Sequence, residues 1–319
     1  MTIAATLAAI LTLSSANASA QTVERTGEFI SFSGVNVTGP FEVGYAYSEK
    51  YYVKFVLESV LADYVTYTQR DNIIYVNYAE KDVPKETKKL FKGRKNPDPI
   101  LKMLVYAPTI TDVNLTDGAV FSADGEFTTE KLNVTLSDNS RVASLKAKAD
   151  NVGISIKKKC SATMNLEVPG NLSIWAEGSS TVSTSGKYGS VSLVSDGPSS
   201  IVVEGDCEEL GIKSEGSSQV NVRTKTGKVD IESANTSKVN VEGTATGLAI
   251  SGKNNATIDV RKLDVPEAQI NLNSATVHAG AKQKLTLELQ MGSAVYYDGT
   301  PQFSIVRILK STLAPSNSK

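Results

Sequence analysis

The side chains equipped for chemistry are few, and their spacing limits what they could do. His278 is the one histidine, so a Ser–His–Asp relay would have to be built on it, and no Gly-x-Ser-x-Gly turn or paired nucleophile accompanies it. Two cysteines, Cys160 and Cys207, with that one histidine cannot close a zinc site. No metal and no cofactor are expected. Lys213, Asp230, Glu232 and Lys238 come nearest to the acidic and basic groups of a polysaccharide lyase or hydrolase. Asp230 and Glu232, two apart on a strand, would share a face about 7 Å apart. The flanking repeats offer only Gly211, Ala249 and Ser251 there, too little side chain to build a cleft. The aromatic residues are more concentrated: nine of the 12 tyrosines lie between Tyr45 and Tyr106. Exposed tyrosines stack on sugar rings or anchor a protein partner, which makes Tyr45, Tyr47, Tyr51 and Tyr52 the candidate ligand-binding residues. The competing explanation is β-propensity and packing within a cap.

Whatever these residues do, a repeat must position them. From Leu172 to Gly299 the sequence recurs every 19 residues, and one column reads Val182, Ile201, Val220, Val239, Ile258, Val277 and, one residue early, Val295. Two residues before each stands a small side chain: Ser180, Ser199, Ser218, Ser237, Ala256, Ala275, Ser293. Two before that stand Gly178, Gly197, Gly216, Asn235, Asn254 and Asn273. Gly and Asn most readily take φ > 0, so this column predicts a backbone corner on every coil. A second strand per coil carries pairs such as Leu172 with Ile174 and Val229 with Ile231, which face one core because residues two apart share a side. Outward columns are polar, and Glu204, Arg223, Glu242 and Arg261 alternate in sign as an expected ion-pair ladder. The pattern predicts an all-β fold, a single-stranded parallel β-helix (solenoid) with coils of about 19 residues. Cys160 and Cys207 fall in different registers more than two coils apart, too far for a disulfide.

The rest of the chain flanks that solenoid. Residues 1–20 join a short apolar run to Ala18-Ser19-Ala20, as a signal peptide does. Residues 21–110 read as an irregular β N-terminal cap, which a solenoid needs to cover its open core and strand edges. Within it, residues 80–98 carry seven Lys/Arg among four acidic residues, a solvated loop or short helix; a basic contact for an acidic glycan is the sharper alternative. Residues 111–301 are the β-helix and 302–319 a C-terminal strand and tail. The formal net charge of −1 supplies no field for nucleic acid, and after the leader no stretch is long and apolar enough to be a transmembrane helix.

Three motifs carry a family resemblance: Phe32-Ser-Gly-Val-Asn-Val-Thr-Gly-Pro-Phe-Glu-Val43, the strand Leu104–Pro108, and the closing Val295-Tyr-Tyr-Asp-Gly-Thr-Pro301. With the Ser/Gly-rich coils between them, roughly Glu28 to Pro301 resembles the auto-transporter adhesin family, head GIN type, of Gram-negative exported proteins. The resemblance implies a right-handed β-helix and export, to the periplasm, the outer-membrane surface or the extracellular space, and supplies no catalytic residues. The expected function is therefore a non-enzymatic binding or adhesion module at the cell envelope, presenting polar ladders to a glycan or a cell-surface protein. A structural envelope component and a carbohydrate-active enzyme are the alternatives.

Overall fold

The protein is described by a computed structural model covering residues 21–91 and 98–316. The expected signal segment 1–20 and residues 92–97 of the basic stretch lie outside the described residues. The chain is nearly all β, 69% strand and 4% helix, and contains about 11 turns of β-solenoid with coils of about 19 residues. It divides into two compact units, Met1–Ala147 and Lys148–Lys319.

The first unit contains β1 (Thr22–Phe29), β2 (Gly34–Thr38), β3 (Glu42–Tyr47), β4 (Tyr51–Glu58), β5 (Val65–Arg70), β6 (Ile73–Tyr78), β7 (Leu101–Ala107), β8 (Asp112–Thr116) and β9 (Val120–Leu136). Its coils do not stack in chain order. β2 lies parallel between β6 and β8, and β3 lies parallel between β7 and β9. β4 then runs antiparallel to both β1 and β7, and β5 antiparallel to β6. The chain therefore folds back over its own first coil. A 3-10 turn, Ser59–Tyr64, buries Leu61 and Ala62, and the Arg25 guanidinium donates to the Ala62 carbonyl at 2.9 Å.

The second unit begins within β10 (Arg141–Ile156) and holds the regular repeat: β11 (Ser161–Glu177), β12 (Thr181–Asp196), β13 (Ser200–Asp206), β14 (Glu209–Ser214), β15 (Gln219–Ala234), β16 (Lys238–Lys253) and β17 (Thr257–Val260). It continues through β18 (Leu263–Asp264), β19 (Glu267–Asn273), β20 (Thr276–Ala279), β21 (Lys284–Gln290), β22 (Ala294–Tyr297), β23 (Gln302–Ile308) and β24 (Thr312–Pro315). Parallel registers join Val182, Ile201, Val220, Val239, Ile258, Val277 and Val295 in one buried file. Period-2 alternation sends the β-branched residues inward and the Ser, Thr and charged residues outward.

Each coil turns at a left-handed corner, with φ of 61° at Gly178, 62° at Gly197, 70° at Gly216, 62° at Asn235 and 54° at Asn254. Asn273 departs from this column. β19 continues through it, paired with Lys253 and Gln290, and the positive φ falls on Ser274 at 55°. Inside the corners runs a buried hydroxyl seam. Ser199, Ser218 and Ser237 each lie 2.8 Å, oxygen to oxygen, from Ser195, Ser214 and Ser233 respectively. Backbone carbonyls, such as that of Glu215 at 2.7 Å from Ser218 Oγ, complete their bonding. These hydrogen bonds let the small column hold Ser in the buried bend, while Ala256 and Ala275 fill the same column without a hydroxyl. Replacing Asn235 with Val puts a β-branched residue at φ 62° and should cost about 1–3 kcal/mol. A denaturant midpoint unchanged from the parent would refute the corner's role.

The ion-pair ladder stands at three of its four positions. Arg223 lies 3.8 Å from Glu204 and 3.4 Å from Glu242. The next contact to Glu242 is Lys262 at 3.1 Å, not Arg261, whose Nε instead donates to Asp259 Oδ1 at 3.0 Å. The register accounts for the change, since Val239 pairs with Ile258 but Gly243 pairs with Leu263, one residue further on. Hydrogen bonding from Lys262 holds the Glu242 carboxyl below the usual carboxylate range. As an exposed network it contributes little to stability. At the other end, Phe303, Ile305 and Ile308 continue the files of Leu285, Leu287 and Leu289, yet are exposed; among the described residues no further coil covers them.

Candidate functional site

The four candidate tyrosines do not share a face. Tyr45 points into the core of β3, 2% exposed, with its hydroxyl donating to the Ala107 carbonyl at 3.1 Å and its ring edge-on to Phe127. Burial, with Tyr47 and Tyr51 nearby, pushes its phenol up to about 12. Tyr47, at the end of the same strand, is 65% exposed. Tyr51 and Tyr52 are consecutive on β4 and so point to opposite faces. Tyr51 packs edge-on to Phe32, and Tyr52 stacks on Tyr106 with ring centroids 4.3 Å apart and planes 10° from parallel.

That stacked pair borders a groove of about 400 Å³ on the first unit. The strand order across this face is β1, β4, β7, β3, β9, which sets Tyr52, Tyr106, Ala46 and Asp124 in one row and Lys54, Leu104, Gly44 and Ser122 in the next. After the outward Glu42 at its start, β3 turns only Gly44 and Ala46 outward, so over that length the middle strand carries almost no side chain and forms a floor. Tyr106 and Leu104 make one wall, while Ser122 and Asp124 make the other. The arrangement offers an aromatic face, an apolar edge and a carboxylate across a trough, the set that binds the polar and apolar surfaces of a sugar ring. The Gly44-x-Ala46 alternation marks the floor in the sequence, but its neighbours β7 and β9 are remote in the chain and no repeat spacing leads to them.

A second groove, of about 340 Å³, crosses the outward faces of β11, β12, β14 and β15 in the second unit. Its rows are Ser173, Ser192, Gly211 and Asp230, and Asn171, Ser190, Glu209 and Lys228. Asp230, one of the residues considered for acid–base chemistry, is bonded to Lys228 at 2.7 Å, and Lys213 lies 3.3 Å from Glu215. The Asp230 hydrogen bond raises the Lys228 ammonium above its ordinary range. Glu232 pairs across the coils with Lys213 and Ser251. Lys238 lies in the separate file of Gln219 and Thr257. Lys213, Asp230 and Glu232 therefore share one outward face of adjacent coils, with Lys213 and Asp230 engaged in ion pairs of their own, and Lys238 lies away from them.

His278 is half-buried and stacks on Tyr296, centroids 5.2 Å apart, one coil from Asp259. Cys160 and Cys207 are both buried and not joined in a disulfide, with Cys207 Sγ 3.5 Å from the hydroxyls of Thr224 and Thr226. Among the described residues, no cluster of His, Cys, Asp and Glu is arranged to hold a metal ion, and no helix is long and apolar enough to cross a membrane.

The sequence matches the family described as "Putative auto-transporter adhesin, head GIN domain" over residues 31–205 and 191–301. Among solved structures, it is similar to a "putative adhesin" of Parabacteroides merdae, with 14% identity, TM-score 0.34, and coverage of 93% of this chain and 97% of that one. A "putative adhesin" of Bacteroides fragilis gives 15% identity, TM-score 0.30, and coverage of 93% and 98%. A "putative lipid binding protein" of Parabacteroides distasonis gives 10%, 0.30, 93% and 97%. No curated protein matches the chain. With both matched segments together spanning residues 31–301 of 319, the chain belongs to the head GIN domain family of auto-transporter adhesins.

Proposed function

We propose that the protein is an exported, non-enzymatic binding module of the cell envelope whose groove on the first unit takes a glycan. The observation that carries this reading is the stacked Tyr52–Tyr106 pair beside the bare floor of Gly44 and Ala46. A sugar ring laid on that floor places its C–H face against Tyr106 and its hydroxyls toward Asp124 and Ser122. Membership of an adhesin family supports a binding role. Lys213 and Asp230 are ion-paired to Glu215 and Lys228, and Lys238 lies in a separate file, which supports a role without bond cleavage, because general acid–base chemistry needs its groups convergent on the reacting atom.

A glycan array with the full chain tests this, followed by Tyr106→Ala and Ala46→Leu. The first removes the wall and the second fills the trough from an outward position. Each should weaken binding about tenfold, close to 1.4 kcal/mol, with folding intact. Binding undiminished in both variants would displace the site from this groove. Shortened glycan products would overturn the non-enzymatic reading, and binding to an envelope protein with no glycan retained would make the partner a protein.

A further inference from the structure

We infer that the second unit carries a separate saccharide-binding groove, specific for neutral glycan chains, with Trp175 standing at its edge. This is the one tryptophan in the chain, and it is 55% exposed. β11 sends Leu172, Ile174 and Ala176 into the core, so Trp175 stands outward beside Ser173, about 7 Å along the strand. Ser173 belongs to the floor of the 340 Å³ groove. The solenoid needs no large aromatic at an outward position, since the same file holds Val194, Lys213, Glu232 and Ser251 on successive coils. An indole left half in water forgoes the burial that normally repays so large an apolar side chain.

The groove beside it has the complementary chemistry. Asn171, Ser173, Ser190 and Ser192 supply amide and hydroxyl groups, and Gly211 opens the floor. A Cβ at Gly211 would meet only the Val191 carbonyl, at 3.9 Å, so the opening is not a packing necessity. Successive residues in a row lie one strand spacing apart, about 4.8 Å, so an extended sugar chain running across the strands meets hydroxyl and amide groups on β11 and β12 and then Glu209 and Asp230 on either side of the gap at Gly211. Charge selects the class of glycan. Glu209 and Asp230 outnumber Lys228, and Lys228 is already bonded to Asp230. The lining is net negative and repels uronate, sialylated or sulfated chains. The site lies wholly in the second unit and does not depend on the tyrosine groove.

Because Trp175 is the only tryptophan, its emission reports this groove alone. The full chain is titrated with laminarin, yeast mannan and dextran, and with polygalacturonate as the acidic comparison, followed by tryptophan emission and by retardation in affinity gels. A neutral polysaccharide should shift the emission saturably and retard the chain, while polygalacturonate should not. In a Tyr106→Ala background, which removes retention through the tyrosine groove, Trp175→Ala should weaken retardation at least tenfold. Gly211→Phe, which fills the trough, should abolish the emission shift while keeping the fluorophore; Ser192→Arg, exposed on the same floor, blocks it independently. Tyr106→Ala, in the first unit, should leave the shift unchanged, which separates this site from the tyrosine groove. The proposal is overturned by no emission shift with any neutral polymer, by preference for polygalacturonate, or by binding undiminished in Trp175→Ala and both blocked variants.

Discussion

Replacing Val239 with Asp should leave the second unit unfolded at neutral pH. Val239 is 2% exposed and lies in the parallel file between Val220 and Ile258, so a carboxylate there has apolar neighbours on both adjacent coils. Leaving an uncompensated charge in such a site costs about 3–5 kcal/mol even after relaxation, against a total stability of about 5–15 kcal/mol for a domain. The solenoid raises the stakes, because each coil is stabilised chiefly by its neighbours and the damage falls at two interfaces. The burial also fixes the pH dependence. Desolvation raises the folded-state pKa of the new carboxyl above its unfolded value, so the folded form binds the proton more tightly. The loss is smallest below the unfolded pKa and grows as pH rises through the folded one. Circular dichroism melts at pH 4 and pH 7 should therefore show partial recovery in acid. Lys238→Asp, one residue earlier and outward, should change stability by no more than about 0.5 kcal/mol. A V239D protein that melts cooperatively near the parent temperature at neutral pH would refute the core assignment of this column.

Those opposite outcomes at adjacent residues follow from alternation, and alternation is the part of this fold that sequence displays best. The file from Val182 to Val295, the buried serines and five of the six Gly/Asn corners stand where the 19-residue repeat places them. Each is a periodic demand met by a residue type that few others can replace. The departures occur where the period changes by one residue. β19 continues through Asn273, and the corner passes to Ser274. A 20-residue step between Gly243 and Leu263 hands the ladder from Arg261 to Lys262. The first unit was legible as β structure only. Its strand order is set by pairings between segments far apart in the chain, such as β3 with β7 and β9, and no local pattern encodes that order. Clustering in sequence therefore misgroups the tyrosines: Tyr45 lies in the core, Tyr51 and Tyr52 lie on opposite faces of β4, and Tyr106, which walls the groove, comes from another strand. Trp175 is the converse case. Alternation from Leu172 and Ile174 already places it outward, and its exposure gives that position its interest.

A second corner, recurring at the same 19-residue spacing, should be the most sensitive backbone position in the regular coils. Gly186, Gly205, Thr224 and Gly243 occupy one register on successive coils, and three of the four are glycine. At Gly243, φ is 122°, and a Cβ would stand 1.8 Å from the Thr224 carbonyl oxygen. That oxygen is backbone and cannot rotate away, so a methyl group must push two coils apart or force the corner into another conformation. Strain at a φ that L residues rarely adopt, about 1–3 kcal/mol, adds to overpacking of about 1–3 kcal/mol. Gly243→Ala should therefore destabilise the unit by about 2–6 kcal/mol for the addition of a single methyl group. Gly247 lies four residues on in the same strand, where an added Cβ would meet nothing within 4 Å and φ is not positive. Gly247→Ala should be neutral or stabilise by about 0.4–1 kcal/mol, because it restricts the unfolded chain without straining the folded one. Urea denaturation of the two variants side by side measures the difference. Equal midpoints would mean that the coils can separate at this corner without cost, whereas a collapse confined to Gly243→Ala identifies carbonyl-to-glycine contact as what sets the spacing of the coils there.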